Sequence, residues 1–358
     1  MVSKRISKYL QKLFTALGVP LFAIVMALGI GCLLIFLMGL NPREAVSALQ
    51  MGAFGSKEAV GETIVKMSPL ILAALSFALA KRCGLLNIGA EGQVYAGGMC
   101  ATIVGLCVKG LPSPLHILLC FVAGFLGGGL VGGLAGWLKV QFGSSELITT
   151  IMLNYIFTFL SNYVACVALV EPPGNFPQTA QVLPTAQLAR IWPGTRVTIG
   201  IFVALFCLLF YYIFLWRTKS GYETRVVGLN PNAAHYAGIN VKNKTVTIML
   251  LSGGIAGLAG VIEILGAQIR LYQNFSPGYG FDGIAISLLG LNTPIGILLS
   301  ALLFGALRAG SNMMQVLASV PSAMIYIIQA LVIVFVVCSQ SILDMLKKRS
   351  ARLKMKGA

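Results

Sequence analysis

The residues best placed to do chemistry lie where apolar sequence is interrupted. The stretch Cys83-Gly84-Leu85-Leu86-Asn87-Ile88-Gly89-Ala90-Glu91-Gly92-Gln93 separates two apolar runs, 69–80 and 94–108. It carries two carboxamides, Asn87 and Gln93, and one carboxylate, Glu91. Polar groups in such surroundings are costly and usually face a path or a partner. Two readings stand side by side. In one, the three side chains form a polar lining that hydrogen-bonds a passing solute, aided by the unpaired amides of half-helix ends. In the other, they cap broken helices and satisfy backbone groups. Asn154 and Tyr155, inside the apolar run 146–170, either line the same path or make an interhelical hydrogen bond. Asn292 belongs to Leu291-Asn292-Thr293-Pro294, which interrupts a second apolar run, 283–310, and joins the candidate path residues. Glu263 is expected to pair with Arg270, and Asp282 to cap the helix that follows it.

The chain holds only two histidines, His116 and His235. There is no phosphate-binding Gly-x-x-x-x-Gly-Lys-Ser/Thr motif, no His-Glu-x-x-His and no Ser, His and Asp set, so no enzyme activity is expected. The eight cysteines fall mostly inside apolar runs, with no Cys-x-x-Cys pair and no His at ligand spacing. They read as small buried hydrophobes, with no metal and no cofactor expected.

The elements that must position these residues follow from composition. Of 358 residues, 57% are hydrophobic and only 10% charged, against about 25% charged in a soluble domain. Long apolar stretches approach the roughly 20 residues that a bilayer-crossing helix needs. The fold class is therefore all-α and polytopic, with about ten (8–10) transmembrane segments, including discontinuous helices at the two interruptions, each allowed only where protein or water surrounds the exposed backbone. The 12-residue run 69–80 is too short to cross alone, and 41–66 reads as a mixed polar and amphipathic loop. Glycines 124, 128, 132 and 136 recur every fourth residue, leaving one helix face nearly bare for close packing on another span. The proline-rich stretch 171–197 reads as an ordered external loop.

Net charge is +16, and the segments 1–12, 217–244 and 344–358 carry +4, +4 and +5, which is +13 of it. No folded polar surface exists on which nucleic acid would sit. The positive-inside rule accounts for the same charges, with both termini and the 217–244 loop cytoplasmic. The chain then divides into a basic N-terminal segment 1–16, a transmembrane domain 17–340 and a basic tail 341–358. Within 217–244, Gly228 to Gly238 reads as a short helix with Pro231 at its start and glycine at its end, a shape suited to docking into a groove of another protein.

At this point the motifs resemble a known family. Asn87-Ile88-Gly89-Ala90-Glu91-Gly92-Gln93, Thr150-Ile151-Met152-Leu153-Asn154-Tyr155, Gly228 to Ile239, Gly278-Tyr279-Gly280-Phe281-Asp282-Gly283-Ile284-Ala285 and Leu303-Phe304-Gly305-Ala306-Leu307 are similar to those of membrane permease subunits of ATP-binding-cassette importers for simple sugars, branched-chain amino acids and nucleosides, nearest to the nucleoside (purine) branch. The resemblance covers roughly 60–340. It implies a nucleoside permease in a bacterial inner membrane, paired with a second, related permease subunit, cytoplasmic ATP-binding subunits and an external solute-binding lipoprotein or periplasmic protein. It also implies that Gly221 to Ile239 is the segment coupled to the ATPase, with Tyr222, Glu223, Arg225, Asn230, Ala233, Ala234 and Gly238 as the contact residues. A sugar or branched-chain amino acid permease is the alternative within the class. An ion-coupled secondary transporter is the rival outside it, disfavoured because mid-membrane acids reduce to Glu91 and Glu263.

Overall fold

The structure, a computed structural model, describes residues 25–174, 176–321 and 323–335. The basic segments 1–16 and 341–358, the start of the first expected span and the end of the last lie outside the described residues. Thirteen α-helices and no extended strand are present among the described residues: α1 (Val25–Leu37), α2 (Pro42–Phe54), α3 (Lys57–Arg82), α4 (Ala90–Cys107), α5 (Ser113–Phe142), α6 (Glu146–Tyr163), α7 (Gly200–Arg217), α8 (Lys219–Leu229), α9 (Pro231–Tyr236), α10 (Val241–Ile262), α11 (Tyr279–Leu289), α12 (Pro294–Ala318) and α13 (Ala323–Phe335). Helices α6 and α10 each run on into a π-helical turn, Val164–Ala168 and Glu263–Gln268. Among the described residues, six helices are long and apolar enough to cross a membrane, and the described parts of α1, α11 and α13 are shorter apolar helices.

Two expectations about boundaries are corrected. The dozen-residue run before the first break is the end of α3, which is 26 residues long and begins at Lys57. Glu58, Glu62 and Lys66 hid its first turns from an apolar window, although Glu62 and Lys66 are an i,i+4 pair on one face. Pro69 sits inside this helix. A proline there lacks the N–H its turn would use, and the adjacent Ser68 Oγ donates to the Ile64 carbonyl at 2.9 Å. The stretch 41–66 is likewise helical for most of its length, since it contains α2 as well. The Asn41 side chain caps α2 by accepting from Arg43 N at 3.1 Å, with Pro42 in the first turn.

The chain divides into two compact units, Lys57–Ala306 and the joined segments Met1–Ser56 and Leu307–Ala358. In the smaller unit, Gly310 lies where a Cβ would meet Leu49, and Gly31 where one would meet Ile328, so α2 packs on α12 and α1 on α13.

In the larger unit, α3 and α10 form the interior. The best apolar window of each is 89% buried within the chain, whereas the windows of α5, α6 and α7 are 33%, 28% and 33% buried and present the rest outward. The glycine ladder of α5 finds its partner in α10. A Cβ on Gly128 would stand 2.7 Å from Gly257 Cα and closer still to the Gly253 carbonyl oxygen, and one on Gly132 would strike the Met249 carbonyl. From α4, Gly97 meets Gly257 in the same way. Backbones in contact replace side-chain interdigitation, which suits helices that gain nothing from hiding apolar surface when lipid is the alternative. The described part of 171–197 is tied down by isolated bridges, Val170 to Thr179 and Gln178 to Tyr272, and by an ion pair between Arg270 and Glu171.

Replacing Gly128 with leucine should therefore lower stability by about 2–3 kcal/mol, the cost of overpacking a rigid contact. Thermal unfolding in detergent would show it as a reduced Tm. Leucine at the outward-facing Leu130 position replaced by alanine should change the same measurement much less.

Candidate functional site

The first interruption is a turn, residues 83–89, between the C-terminus of α3 and the N-terminus of α4. A helix start leaves unpaired N–H groups, and α4 opens at Gly89 with no side-chain cap of its own. The missing partners come from elsewhere in the chain. Asn154 of α6 accepts from Gly92 N at 2.8 Å through Oδ1 and donates to the Ile88 carbonyl at 3.0 Å through Nδ2. One carboxamide thus satisfies a carbonyl of the turn and an N–H in the first turn of α4.

Asn87 and Gln93 pair amide to amide. Asn87 Nδ2 donates to Gln93 Oε1 at 2.9 Å, and Gln93 Nε2 donates to Asn87 Oδ1 at 3.1 Å. Asn87 Nδ2 also reaches Ser252 Oγ at 2.7 Å, while Asn87 Oδ1 accepts from Gly89 N at 3.0 Å. Ser252 Oγ donates in turn to the Ser76 carbonyl at 2.8 Å and lies 3.0 Å from Ser76 Oγ. Asn87, Gln93, Ser76 and Ser252 are all fully buried. The cluster fastens the turn to α3, α4 and α10 at one point, and every polar atom of its two carboxamides is engaged by the chain itself.

Glu91, also buried, reaches a different element. Its Oε2 accepts from Gly280 N at 2.6 Å in the first turn of α11. A carboxylate in the first turn of α4 therefore also serves the N-terminus of α11, where the helix dipole favours negative charge. The approach is close: a Cβ on Gly280 would collide with the Glu91 backbone. Asp282 is not the cap of α11. Gly278 holds the cap position with φ of 91°, and Asp282 lies within the first turn, its N–H bonded to the Gly278 carbonyl. Glu263 does not pair with Arg270. Its carboxylate accepts from Gln268 Nε2 at 2.9 Å and from Tyr279 OH at 3.2 Å, because the π-helical turn brings Gln268 back over it, whereas Arg270 is taken by Glu171.

Of the path candidates, Asn87, Glu91, Gln93 and Asn154 surround the N-terminus of α4. Tyr155 points the other way and is 59% exposed on the outward face of α6. Asn292 belongs to the second interruption, in left-handed conformation with φ of 51°. Its side chain accepts from Ser287 Oγ at 2.8 Å, and its carbonyl accepts from Arg82 Nη2 at 3.0 Å and Tyr211 OH at 2.8 Å. Ser76, Ser252, Arg82 and Tyr211 are contributors that the sequence reading passed over. Ser252 carries a legible signal, a hydroxyl in the middle of an apolar helix next to Gly253 and Gly254.

The 217–244 segment folds as α8 and α9. Asn230 caps α9, its Oδ1 accepting from Asn232 N at 3.0 Å and Ala233 N at 3.1 Å, with Pro231 in the first turn and Gly238 at φ of 79° beyond the end. Tyr222, Asn230, Ala233 and Gly238 lie on the surface, but Ala234 is buried and packs α9 down. The large apolar side chains most exposed here are Leu229 at 87% and Tyr236 at 91%. Glu223 binds Lys244 at 2.8 Å, and Lys244 also donates to Ser220 Oγ at 2.7 Å. Arg225 is half-buried. No group of three metal-ligating side chains occurs among the described residues.

These features define a multi-pass helical membrane protein with polar turns between its helices and a short capped helix on a basic loop. The chain belongs to the family described as branched-chain amino acid transport system / permease component, whose model matches residues 59–337. It is therefore a transport subunit of the ATP-binding-cassette class and not an enzyme. It is similar to the guanosine ABC transporter permease protein NupP of Bacillus subtilis, 38% identical over 97% of this chain and 99% of that one. It is 36% identical to the nucleoside ABC transporter permease protein NupB of Lactococcus lactis subsp. cremoris, over 93% of this chain and 94% of that one. A glucose ABC transporter permease protein of Haloferax volcanii is 34% identical, over 91% and 88%.

Asn87→Leu should strand the Gln93 amide and the serine hydroxyls in an apolar interior and cost about 1–3 kcal/mol, read as a lower Tm in detergent, while Tyr155→Phe should leave Tm unchanged. The Lys244 ammonium, through its hydrogen bond, holds the Glu223 carboxyl below its ordinary range. The tie between α8 and α10 is then fully present above the ordinary carboxylate pKa and lost as pH falls through the lowered value. Corrected for the intrinsic pH dependence of amide exchange, protection across 219–229 should fall on that acidification in the native chain and stay constant in Glu223→Gln.

Proposed function

We propose that this chain is the membrane-spanning subunit of a nucleoside importer of a bacterial inner membrane, with both termini and the 217–244 loop on the cytoplasmic side. The observation that carries the reading is that two relatives matching nearly end to end, at 38% and 36% identity, are named as guanosine and nucleoside permeases. In this reading the subunit works with a second, related permease subunit, with cytoplasmic ATP-binding subunits and with an external solute-binding protein. ATP hydrolysis on the separate subunits drives alternating access.

The polar residues at α4 have a role in that cycle. The closed network of Asn87, Gln93, Asn154 and Ser252 holds the break shut in the conformation described, and the Glu91 link to α11 is the contact whose opening admits the solute. Tyr155, outward on α6, borders the second permease subunit. On the cytoplasmic side α8 and α9 meet the ATP-binding subunit, with Leu229 and Tyr236 supplying the apolar contacts, as aromatic and large apolar anchors do in protein interfaces. A sugar permease is the second reading, supported by the glucose relative at 34% identity.

Uptake of labelled guanosine into proteoliposomes carrying the whole assembly tests substrate and energy source together. Unlabelled nucleosides should compete, glucose and branched-chain amino acids should not, and an ATPase-dead partner should abolish uptake. Competition by glucose alone would replace the nucleoside reading with the sugar one. Glu91→Gln should cut uptake by about tenfold, or roughly 1.4 kcal/mol, with assembly intact. Leu229→Asp combined with Tyr236→Ala should leave membrane insertion intact and reduce co-purification of the ATP-binding subunits; full co-purification would remove these two residues from the interface.

A further inference from the structure

Arg82, the last residue of α3, is held by contacts with other helix ends. Its guanidinium donates to the Asn292 carbonyl at 3.0 Å and stands over the Trp216 ring, 5.5 Å from the centroid. Tyr211 OH shares the same carbonyl at 2.8 Å, and the Tyr211 and Trp216 rings meet edge to face at 5.9 Å. The side chain is half-buried, and its Nε has no hydrogen-bond partner among the described residues. None of the five ion pairs found among the described residues includes it. Its charge is instead met by helix ends. Arg82 closes α3, Trp216 lies at the end of α7, and Asn292 follows the end of α11 by three residues. Three C-termini converge there, each carrying partial negative charge, and an aromatic face adds to them.

The backbone of the same residue touches a fourth element. A Cβ on Gly228 would collide with the Arg82 carbonyl oxygen, and one on Gly84 would lie 3.2 Å from Gly228 Cα. Gly84 has φ of 78°, so the turn after α3 needs glycine for conformation as well as for room. The end of α8 is thus pressed, backbone on backbone, against Arg82 and the start of the first interruption. No flexible side chain lies between them to absorb a displacement.

We propose that Arg82 is the strut that carries movement of α8 and α9 into both interruptions at once. This rests on the reading of α8 and α9 as the surface that meets the ATP-binding subunit. A shift of Gly228 acts on the Arg82 main chain and on Gly84, two positions before Leu86 and three before Asn87. The Arg82 side chain passes the same shift to the Asn292 carbonyl, which fixes the turn between α11 and α12. Arg82 touches no solute in this scheme; it is a positioning residue. A lysine keeps the charge but lacks the planar fork that holds a carbonyl while lying on an indole.

The test measures uptake and ATP hydrolysis separately in proteoliposomes holding the complete assembly, with labelled guanosine as the probe. Arg82→Met should co-purify with the ATP-binding subunits and hydrolyse ATP, while guanosine taken up per ATP falls about tenfold, within the usual range of coupling between sites. Arg82→Lys should recover part of that ratio. Trp216→Leu, which leaves α3 intact, should lower it by a smaller factor and serves if Arg82→Met does not insert. An unchanged ratio in the assembled variants, or uptake and hydrolysis falling in proportion, would overturn the proposal. Failure of the unmodified chain to bind ATP-binding subunits would strike the underlying reading of α8 and α9 and leave the strut geometry untouched.

Discussion

An apolar surround offers no partner to an unpaired amide or carbonyl, and each one left bare there costs several kcal/mol. A chain that breaks its helices inside such surroundings must bring its own hydrogen-bonding groups to the break. Asn154 does this from α6 for Gly92 and Ile88, and Asn87 does it for Gly89 from within the turn, its carboxamide paired with that of Gln93 in α4. Glu91 extends the same logic to α11. The consequence is rigidity of a particular kind. Side chains that satisfy the break also fix α3, α4, α6, α10 and α11 to one another, so the polar residues available for function are also the ones that hold the fold.

The glycine contacts make that arrangement possible. Ser252 reaches Asn87 and Ser76 because α10 lies close enough to α4 and α5 for backbones to touch, at Gly128 against Gly253 and Gly257 and at Gly97 against Gly257. With larger residues the helices would stand further apart, and hydroxyls on short side chains would no longer span the gap. Close packing and polar satisfaction are one constraint seen from two sides. At the C-terminus of α3, the contact of Gly228 on Arg82 extends it to the basic loop.

Much of this was legible. The two interruptions, the bare face of α5 and the capped helix at Pro231 follow from residue types at fixed spacing, and each appears where the sequence places it. What was misread has physical causes. An apolar window cannot see the first turns of α3, because it counts Glu62 and Lys66 as two separate charges although they pair along one face. Ala234 looks like part of a docking face, but a six-residue helix must bury one side, and Ala234 is on it. Glu263 and Arg270 are seven residues apart and of opposite charge, yet the π-helical turn gives Glu263 to Gln268 and Tyr279.

The sequence by itself determined that this is a many-helix membrane chain with two interruptions, because hydropathy, glycine spacing and the placement of charge are local properties read along one dimension. Its motifs also carried the likeness to permease subunits. Only the tertiary structure decided who answers whom: that Asn154 plugs the start of α4, that Ser252 completes the Asn87 cluster from 165 residues away, and that Arg82 grips a turn 210 residues further on. A hydrogen bond is directional and short, so its partner is set by where helices come to lie, and that is decided by packing across the whole chain.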